Sequence, residues 1–470
     1  MPSLPSQIIR LKYYDIPFPL MDAKIPVALL ILALLLISAG CTSPVARNIT
    51  PSGPVTPATI TTAAGTSLTP AENLITVVND AAVYSQRVGK TAALNEFANR
   101  NGSFTRGELY IWAYDFNGTN LAHPYHPEFL GNNKLDLTDA AGVRMIEVMR
   151  DTARNGSGFA TYQFENPISG KTEQKLAYVK KIDDSWWIGS GIYGSDISIP
   201  QQSPDTIRQI LEAKAGYAVN YARNTGREKA LAAFNNASGP FAENGTYIFA
   251  FDMDGTTLAM PFVKENIGKN ERNLTDQNGI AIGERKIQLA LHGGGFFYYV
   301  YTNPASGRPE FKVSYVTPVD SHWVAGTGIY LPDIPVAYSK DRRDQLVSRV
   351  GEASAYVKKN GRDAAIREFN TPNGTFSEPG MFIFAFDRNG TLLANPYLPG
   401  LVGVNRLSDR DPYGEYPVPY IISNAQNGGG FLYYFFADPS TNFSIRPKLG
   451  YSQMAGDDLV VGAGIFPDKG

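Results

Sequence analysis

The chain has 470 residues, of which 43% are hydrophobic, 12% aromatic and 18% charged. That is enough apolar material for packed cores, and at roughly 150 residues per domain it predicts about three domains. A formal net charge of -2 with no long Lys/Arg run gives no support to counterion-release binding to nucleic acid, and a single cysteine excludes an intramolecular disulfide, a zinc ribbon and a CxxC redox pair.

In chain order, the first feature is an uncharged apolar run, Ile25–Ala39, directly before Gly40-Cys41. It is shorter than the roughly 20 residues that a membrane-spanning helix needs, so it reads as a signal-peptide core. Leu36-Ile37-Ser38-Ala39-Gly40-Cys41 has the form of a prokaryotic lipobox, where cleavage before the cysteine lets its thiol carry a lipid. Residues 1–41 are expected to be a signal peptide, with a lipid on Cys41 anchoring the rest to the outer face of the cell membrane. An uncleaved anchor with an incidental cysteine is the alternative. Met21-Asp22-Ala23-Lys24 has the make-up of a conventional n-region, which makes Met21 an alternative start to Met1. Residues 42–70 are rich in Thr, Pro, Ser and Ala without periodicity and predict an extended polar stalk.

Beyond the stalk the chain repeats itself. Gly-x-x-x-Ala-[Leu/Ile]-x-x-Phe occurs at Gly89, Gly226 and Gly361, and an aromatic strand ending in Asp and a turn occurs at Tyr110–Thr119, Tyr247–Thr256 and Phe382–Thr391. Gly-Phe-x-x-Tyr follows at Gly158, Gly295 and Gly430, then Lys-x-x-Tyr at Lys175, Lys312 and Lys448, then Gly-x-Gly-Ile-[Tyr/Phe] at Gly189, Gly326 and Gly462. Asp115 to Asp252 is 137 residues and Asp252 to Asp387 is 135, a period long enough for whole domains rather than solenoid units. The expected domains are residues 71–198, 203–334 and 341–470, joined by the short linkers Ile199–Gln202 and Pro335–Lys340.

Each copy opens on helical periodicity (Leu74, Val77, Ala81, Tyr84 and Val88; Leu346, Val350, Ala353 and Val357), which Gly89, Gly226 and Gly361 break before a second short helix. Asn117-Gly118, Asp254-Gly255 and Asn389-Gly390 supply the positive φ of a tight hairpin turn. A polar excursion follows, helical over 138–154 in copy one, and three strands then complete the copy: GFATYQF, KLAYVKK and WWIGSGIY. The expected fold class is α+β, three tandem modules that each pack a long N-terminal helix on an antiparallel sheet of about five strands.

These motifs in this order resemble the single Cache domain, the PAS-like extracytoplasmic sensor module, over residues 71–469. The resemblance implies sensing of a small molecule, usually a short carboxylate or related metabolite, in a prokaryotic and by expectation archaeal lipoprotein. In its usual context the module is joined to a membrane helix and a kinase or methyl-accepting domain. None follows here, so the expected partner in signal transduction or chemotaxis is a separate membrane receptor or kinase.

A pocket in such a module is expected to be aromatic with a few convergent polar groups. In copy one Tyr110, Trp112, His123, Tyr162, Lys175, Tyr178 and Trp186 are the expected ligand-binding residues. Their counterparts are Tyr247, Tyr299, Lys312, Tyr315 and Trp323 in copy two, and Asn395, Tyr434, Lys448 and Tyr451 in copy three. A partly buried lysine needs an anionic partner. No acid recurs beside it in sequence, so a ligand carboxylate fits that role, unless the lysine reaches solvent from a half-exposed strand. Lys175 and Tyr178 are three apart and fall on opposite faces of a regular strand, so only one of them is expected in the pocket. His123 aligns with Met260 and Asn395, and Trp186 with Trp323 and Leu459, so the copies differ where specificity is set.

Catalysis finds little support. The four histidines include His123-Pro-Tyr-His126, which lacks a third metal ligand and recurs in no other copy. Gly293-Gly-Gly and Gly428-Gly-Gly precede strands rather than helices, which predicts turns rather than phosphate cradles. The chain is therefore expected to be no enzyme, to carry no cofactor or metal, and to capture a small organic anion outside the cytoplasm. A structural or adhesive surface protein using the modules as spacers is the alternative.

Overall fold

The computed structural model describes residues 69–193, 202–243 and 245–467. The signal peptide, Cys41 and the stalk up to residue 68 lie outside the described residues, as does most of the first linker.

The opening helix of each copy is capped by its own sequence. In copy one, α1 (Pro70–Val88) starts at Thr69, whose hydroxyl accepts from the Glu72 amide while Glu72 bonds back to the Thr69 amide, with Pro70 in the first turn. Gly89, at φ +81°, ends α1 and opens α2 (Lys90–Ala98). Then come β1 (Thr105–Arg106), β2 (Leu109–Tyr110), β3 (Trp112–Asp115), β4 (Asn120–Ala122), α3 (Met145–Arg154), β5 (Ser157–Glu165), β6 (Thr172–Lys181) and β7 (Trp186–Tyr193). Copy two has α4 (Pro204–Thr225), α5 (Arg227–Phe234), β8 (Tyr247–Asp252), β9 (Thr257–Ala259), α6 (Ile282–Leu291), β10 (Gly295–Thr302), β11 (Pro309–Pro318) and β12 (Trp323–Leu331). Copy three has α7 (Lys340–Asn360), α8 (Arg362–Phe369), β13 (Phe384–Asp387), β14 (Leu392–Ala394), α9 (Pro417–Gln426), β15 (Gly430–Asp438), β16 (Ser444–Ala455) and β17 (Leu459–Ile465).

Each copy forms one five-stranded antiparallel sheet of the same order: β4-β3-β7-β6-β5, β9-β8-β12-β11-β10 and β14-β13-β17-β16-β15. The hairpin turn is closed by the recurring aspartate, since Asp115 Oδ1 accepts from the amides of Asn117 and Thr119 while Gly118 takes φ +88°. One sheet face packs on the long helix: Ile111, Ala113, Leu176 and Ile188 meet Leu74, Val78 and Ala81. The other face presents Tyr110, Trp112, Tyr114, Tyr162 and Trp187 to Val143, Met145, Ile146 and Met149 from the excursion. The fold is α+β, three PAS-like sheets in tandem.

The helix expected over 138–154 begins only at Met145. Asp139 Oδ1 accepts from the amides of Ala141 and Val143, and Gly142 takes φ +79°, so residues 139–143 close a turn instead.

The copies touch one another in two different ways. The long helix α4 of copy two packs on its own β11 and β12 and also on β5 of copy one, where the Tyr217 hydroxyl donates to buried Asp139. Copies two and three meet through β10 and β15. There Tyr298 donates to Asp411 of copy three, and Tyr433, its counterpart one period later, accepts from Asn278 of copy two. Arg285 pairs with buried Glu415 across the same contact, and Phe311 packs edge-on against Tyr433.

Candidate functional site

The site is built from the two glycines of Gly-x-Gly and the lysine of Lys-x-x-Tyr. A Cβ on Gly189, Gly326 or Gly462 would lie within 3 Å of the ring of Trp112, Phe249 or Phe384. A Cβ on Gly191, Gly328 or Gly464 would lie within 3 Å of Cε of Lys175, Lys312 or Lys448. The motif is thus a bare strip of strand across which the aromatic ring and the lysine stem lie. Register completes the row: Lys175 stands between Tyr162 and Tyr193, and Lys312 between Tyr299 and Tyr330. Lys448 stands opposite Tyr434, with Phe466 just past the end of β17.

All three lysines are fully buried, which rules out the reading that they reach solvent. Burial drives each ammonium below its ordinary range, and Lys448 falls from 10.5 to about 7. Their partners differ. Lys175 Nζ donates to the hydroxyls of Tyr110 and Tyr193, each at 2.9 Å. Lys312 Nζ donates to the Tyr247 hydroxyl at 2.7 Å, and that hydroxyl lies 3.1 Å from the one on Tyr330. In copy three these positions are Phe382 and Phe466, and Lys448 Nζ has no hydrogen-bond partner among the described residues. It faces the rings of Phe382, Phe466 and Phe436 at 4.1, 5.1 and 5.4 Å.

The cavities follow the same division. In copy one the space beside Tyr110, Trp112, His123 and Tyr162 is about 10 Å³, and in copy two the space beside Lys312 is about 20 Å³. Copy three holds a cavity of about 90 Å³, walled by Phe382, Phe384, Leu392, Ile421 and Tyr434, with Lys448, Asn395, Arg406, Asp409, Arg410 and Asp411 as polar groups of its lining. Asn395 Oδ1 accepts from the amides of Tyr397 and Leu398, so Nδ2 is the atom it has to offer a ligand. Arg406 is paired with Asp409 at 2.6 Å. Burial pushes the Asp411 carboxyl up to about 7 against the hydrogen bonds from Tyr298 and nearby amides.

Tyr110, Trp112, His123, Tyr162 and Lys175 are gathered on one face of copy one, as are Tyr247, Tyr299 and Lys312 in copy two and Asn395, Tyr434 and Lys448 in copy three. Tyr178, Tyr315 and Tyr451 are not among them. They lie on the opposite face against Phe159, Phe296 and Phe431, as strand alternation requires. Trp186 and Trp323 are a correction. β7 pairs Tyr114 with Trp187 and Asp115 with Trp186, so Trp187 stacks on Tyr114 while Trp186 turns to the helix side beneath Lys90. Trp323 likewise lies under Arg227. His123 Nδ1 accepts from the amides of Tyr125 and His126, a turn-closing role that Asn395 repeats, and burial holds its ring neutral.

The sequence reading missed a recurring acid: Asp139, Asp276 and Asp411, spaced by the same 137 and 135 residues as the hairpin aspartates. Each ties the excursion to the edge strand by accepting from the amide of Gln163, Val300 or Phe435, the residue after the pocket tyrosine. The equal spacing was the signal available.

The chain matches the family described as Cache domain over residues 94–335 and again over residues 217–469, each span taking in parts of two adjacent copies. Over 115 residues it is 33% identical to the sensor histidine kinase MctS of Rhizobium johnstonii, a match covering 24% of this chain and 23% of the kinase's length. Similar solved structures include a methyl-accepting chemotaxis protein from Vibrio parahaemolyticus, at 26% identity and TM-score 0.24 over 26% of this chain and 87% of that one. Another is a Cache chemosensory domain solved for carboxylic acid recognition, at 22% identity and TM-score 0.24 over 26% of this chain and 92% of that one. The two family spans together run from residue 94 to residue 469, through the strands, glycines and lysines of all three copies, and the chain belongs to the Cache domain family.

Proposed function

We propose that this protein is an extracytoplasmic receptor that captures a short carboxylate in copy three and presents the bound state to a membrane partner. The observation that carries the reading is Lys448, a fully buried amine with no hydrogen-bond partner among the described residues, facing a cavity of about 90 Å³. A buried ammonium without a partner is costly, and a ligand carboxylate is the group that relieves it. Aromatic walls suit a short carbon chain, and the cavity has room for a small ligand. The match to part of a sensor histidine kinase supports a kinase as the class of partner.

The test is calorimetry on the full chain with sodium acetate, propionate, pyruvate and L-lactate. Charge-assisted hydrogen bonds are worth about 1.5–3 kcal/mol, so Lys448→Met is expected to weaken binding roughly ten- to hundredfold. Equal affinity in Lys448→Met would remove the reading. The lipid anchor on Cys41 belongs to the same proposal: Cys41→Ser is expected to leave the precursor uncleaved or free of the membrane fraction, and unchanged processing and fractionation would count against it.

A further inference from the structure

We infer that Phe382 and Phe466 are specificity-determining residues: by lacking hydroxyls they keep Lys448 open to a ligand, whereas at the same two positions both tyrosines bond the lysine in copy one, and in copy two one tyrosine bonds it and the other bonds that tyrosine. This rests on the reading of Lys448 as the anion-binding group. The two positions are equivalent in all copies by register and spacing, Tyr110 and Tyr193 in copy one, Tyr247 and Tyr330 in copy two. In copy one both hydroxyl oxygens sit 2.9 Å from Nζ, where the two oxygens of a carboxylate would accept from the ammonium. The Tyr193 and Tyr330 hydroxyls in turn donate to the backbone carbonyls of Glu165 and Thr302, which fixes the rings in place. The tyrosines therefore act as a built-in substitute for the ligand, and they fill part of the space it would need. The cavities of about 10 and 20 Å³ beside tyrosine, against about 90 Å³ beside phenylalanine, agree with that assignment.

The inference is tested in the full chain by Phe382→Tyr/Phe466→Tyr and by Phe382→Tyr alone, with propionate as the probe. The larger side chains have precedent at both positions in the sister copies, and the single variant keeps the test in hand if the double one folds poorly. Both variants are expected to bind propionate roughly ten- to hundredfold more weakly than the unmodified chain, the double more than the single, while keeping its melting temperature. Wild-type affinity in both variants, with Lys448→Met still weakened, would overturn the role of the phenylalanines and leave the lysine's role standing. Wild-type affinity in Lys448→Met, or no binding of any of the four probes by the unmodified chain, would overturn the reading beneath it.

Discussion

With Lys448 as the proposed anion-binding group, ligand binding is expected to depend on pH. Its ammonium is held at about 7 in the folded chain against 10.5 ordinarily, chiefly by desolvation. The unfolded chain therefore binds more protons between those values, and stability rises with pH across that window; below about 7 the burial penalty is fully present. Lys448→Met is expected to raise the melting temperature at pH 6 while it weakens binding, because an unpartnered buried charge is being removed. Binding runs the other way with pH. A carboxylate favours the protonated amine, and Asp411, facing the same cavity and held at about 7 by burial, gains a negative charge as the amine loses its positive one. Of the other charged groups, Arg406 is paired with Asp409 and Asp438 with Arg446, while Arg410 also lines the cavity and lies over the Tyr416 ring. Affinity for propionate is thus expected to fall as pH rises from 6 to 8.5, by up to about tenfold per unit above 7. A flat profile would mean that Lys448 stays charged, or neutral, throughout.

Among the elements, the recurring aspartates show how an excursion is fastened to a sheet edge. Asp139 gathers the amides of Ala141, Val143 and Gln163 and the Tyr217 hydroxyl, so one carboxylate satisfies a turn, an edge strand and the neighbouring copy. Asp139→Ala leaves those donors unmet and is expected to cost about 2–3 kcal/mol locally. Hydrogen exchange reads this at the Gln163 amide, which should lose protection while the amides of α1 keep theirs; undiminished protection there would show that the pin carries no load. Much of each element was legible in sequence because glycine marks it: Gly89 and Gly118 take positive φ, and Gly189 and Gly191 make room for a ring and a stem. What was not legible needed register. Trp186 and Trp187 are adjacent and only one can face the pocket, a choice made by the pairing of β7 with β3 and invisible in either strand alone. The difference between copies was present as letters, Tyr110 against Phe382. It acquired meaning only when β6 was seen to bring the lysine beneath both hydroxyls.

On the scale of the whole molecule the three copies share a sheet order but not a neighbour relation. Copy one is joined to copy two through α4, whereas copies two and three meet through the equivalent edge strands β10 and β15, Tyr298 reaching Asp411 and its counterpart Tyr433 reaching Asn278. A contact in which each side offers the same patch is saturated by one partner, as in a twofold dimer, and has no free valence for a further copy. The second and third copies thus pair edge to edge, while the first is attached through a helix. Cut apart, each member keeps its edge strand with its tyrosine and aspartate, Tyr298 and Asp276 in one and Tyr433 and Asp411 in the other, while Arg285 and Glu415 lose each other. Residues 341–470 alone are therefore expected to sediment as a dimer at micromolar concentration, and residues 203–470 as a monomer. A monomeric third copy at every concentration would mean that the exchange of tyrosines is local coincidence. If the dimer forms, the covalent chain turns an association that depends on concentration into one fixed within a single molecule.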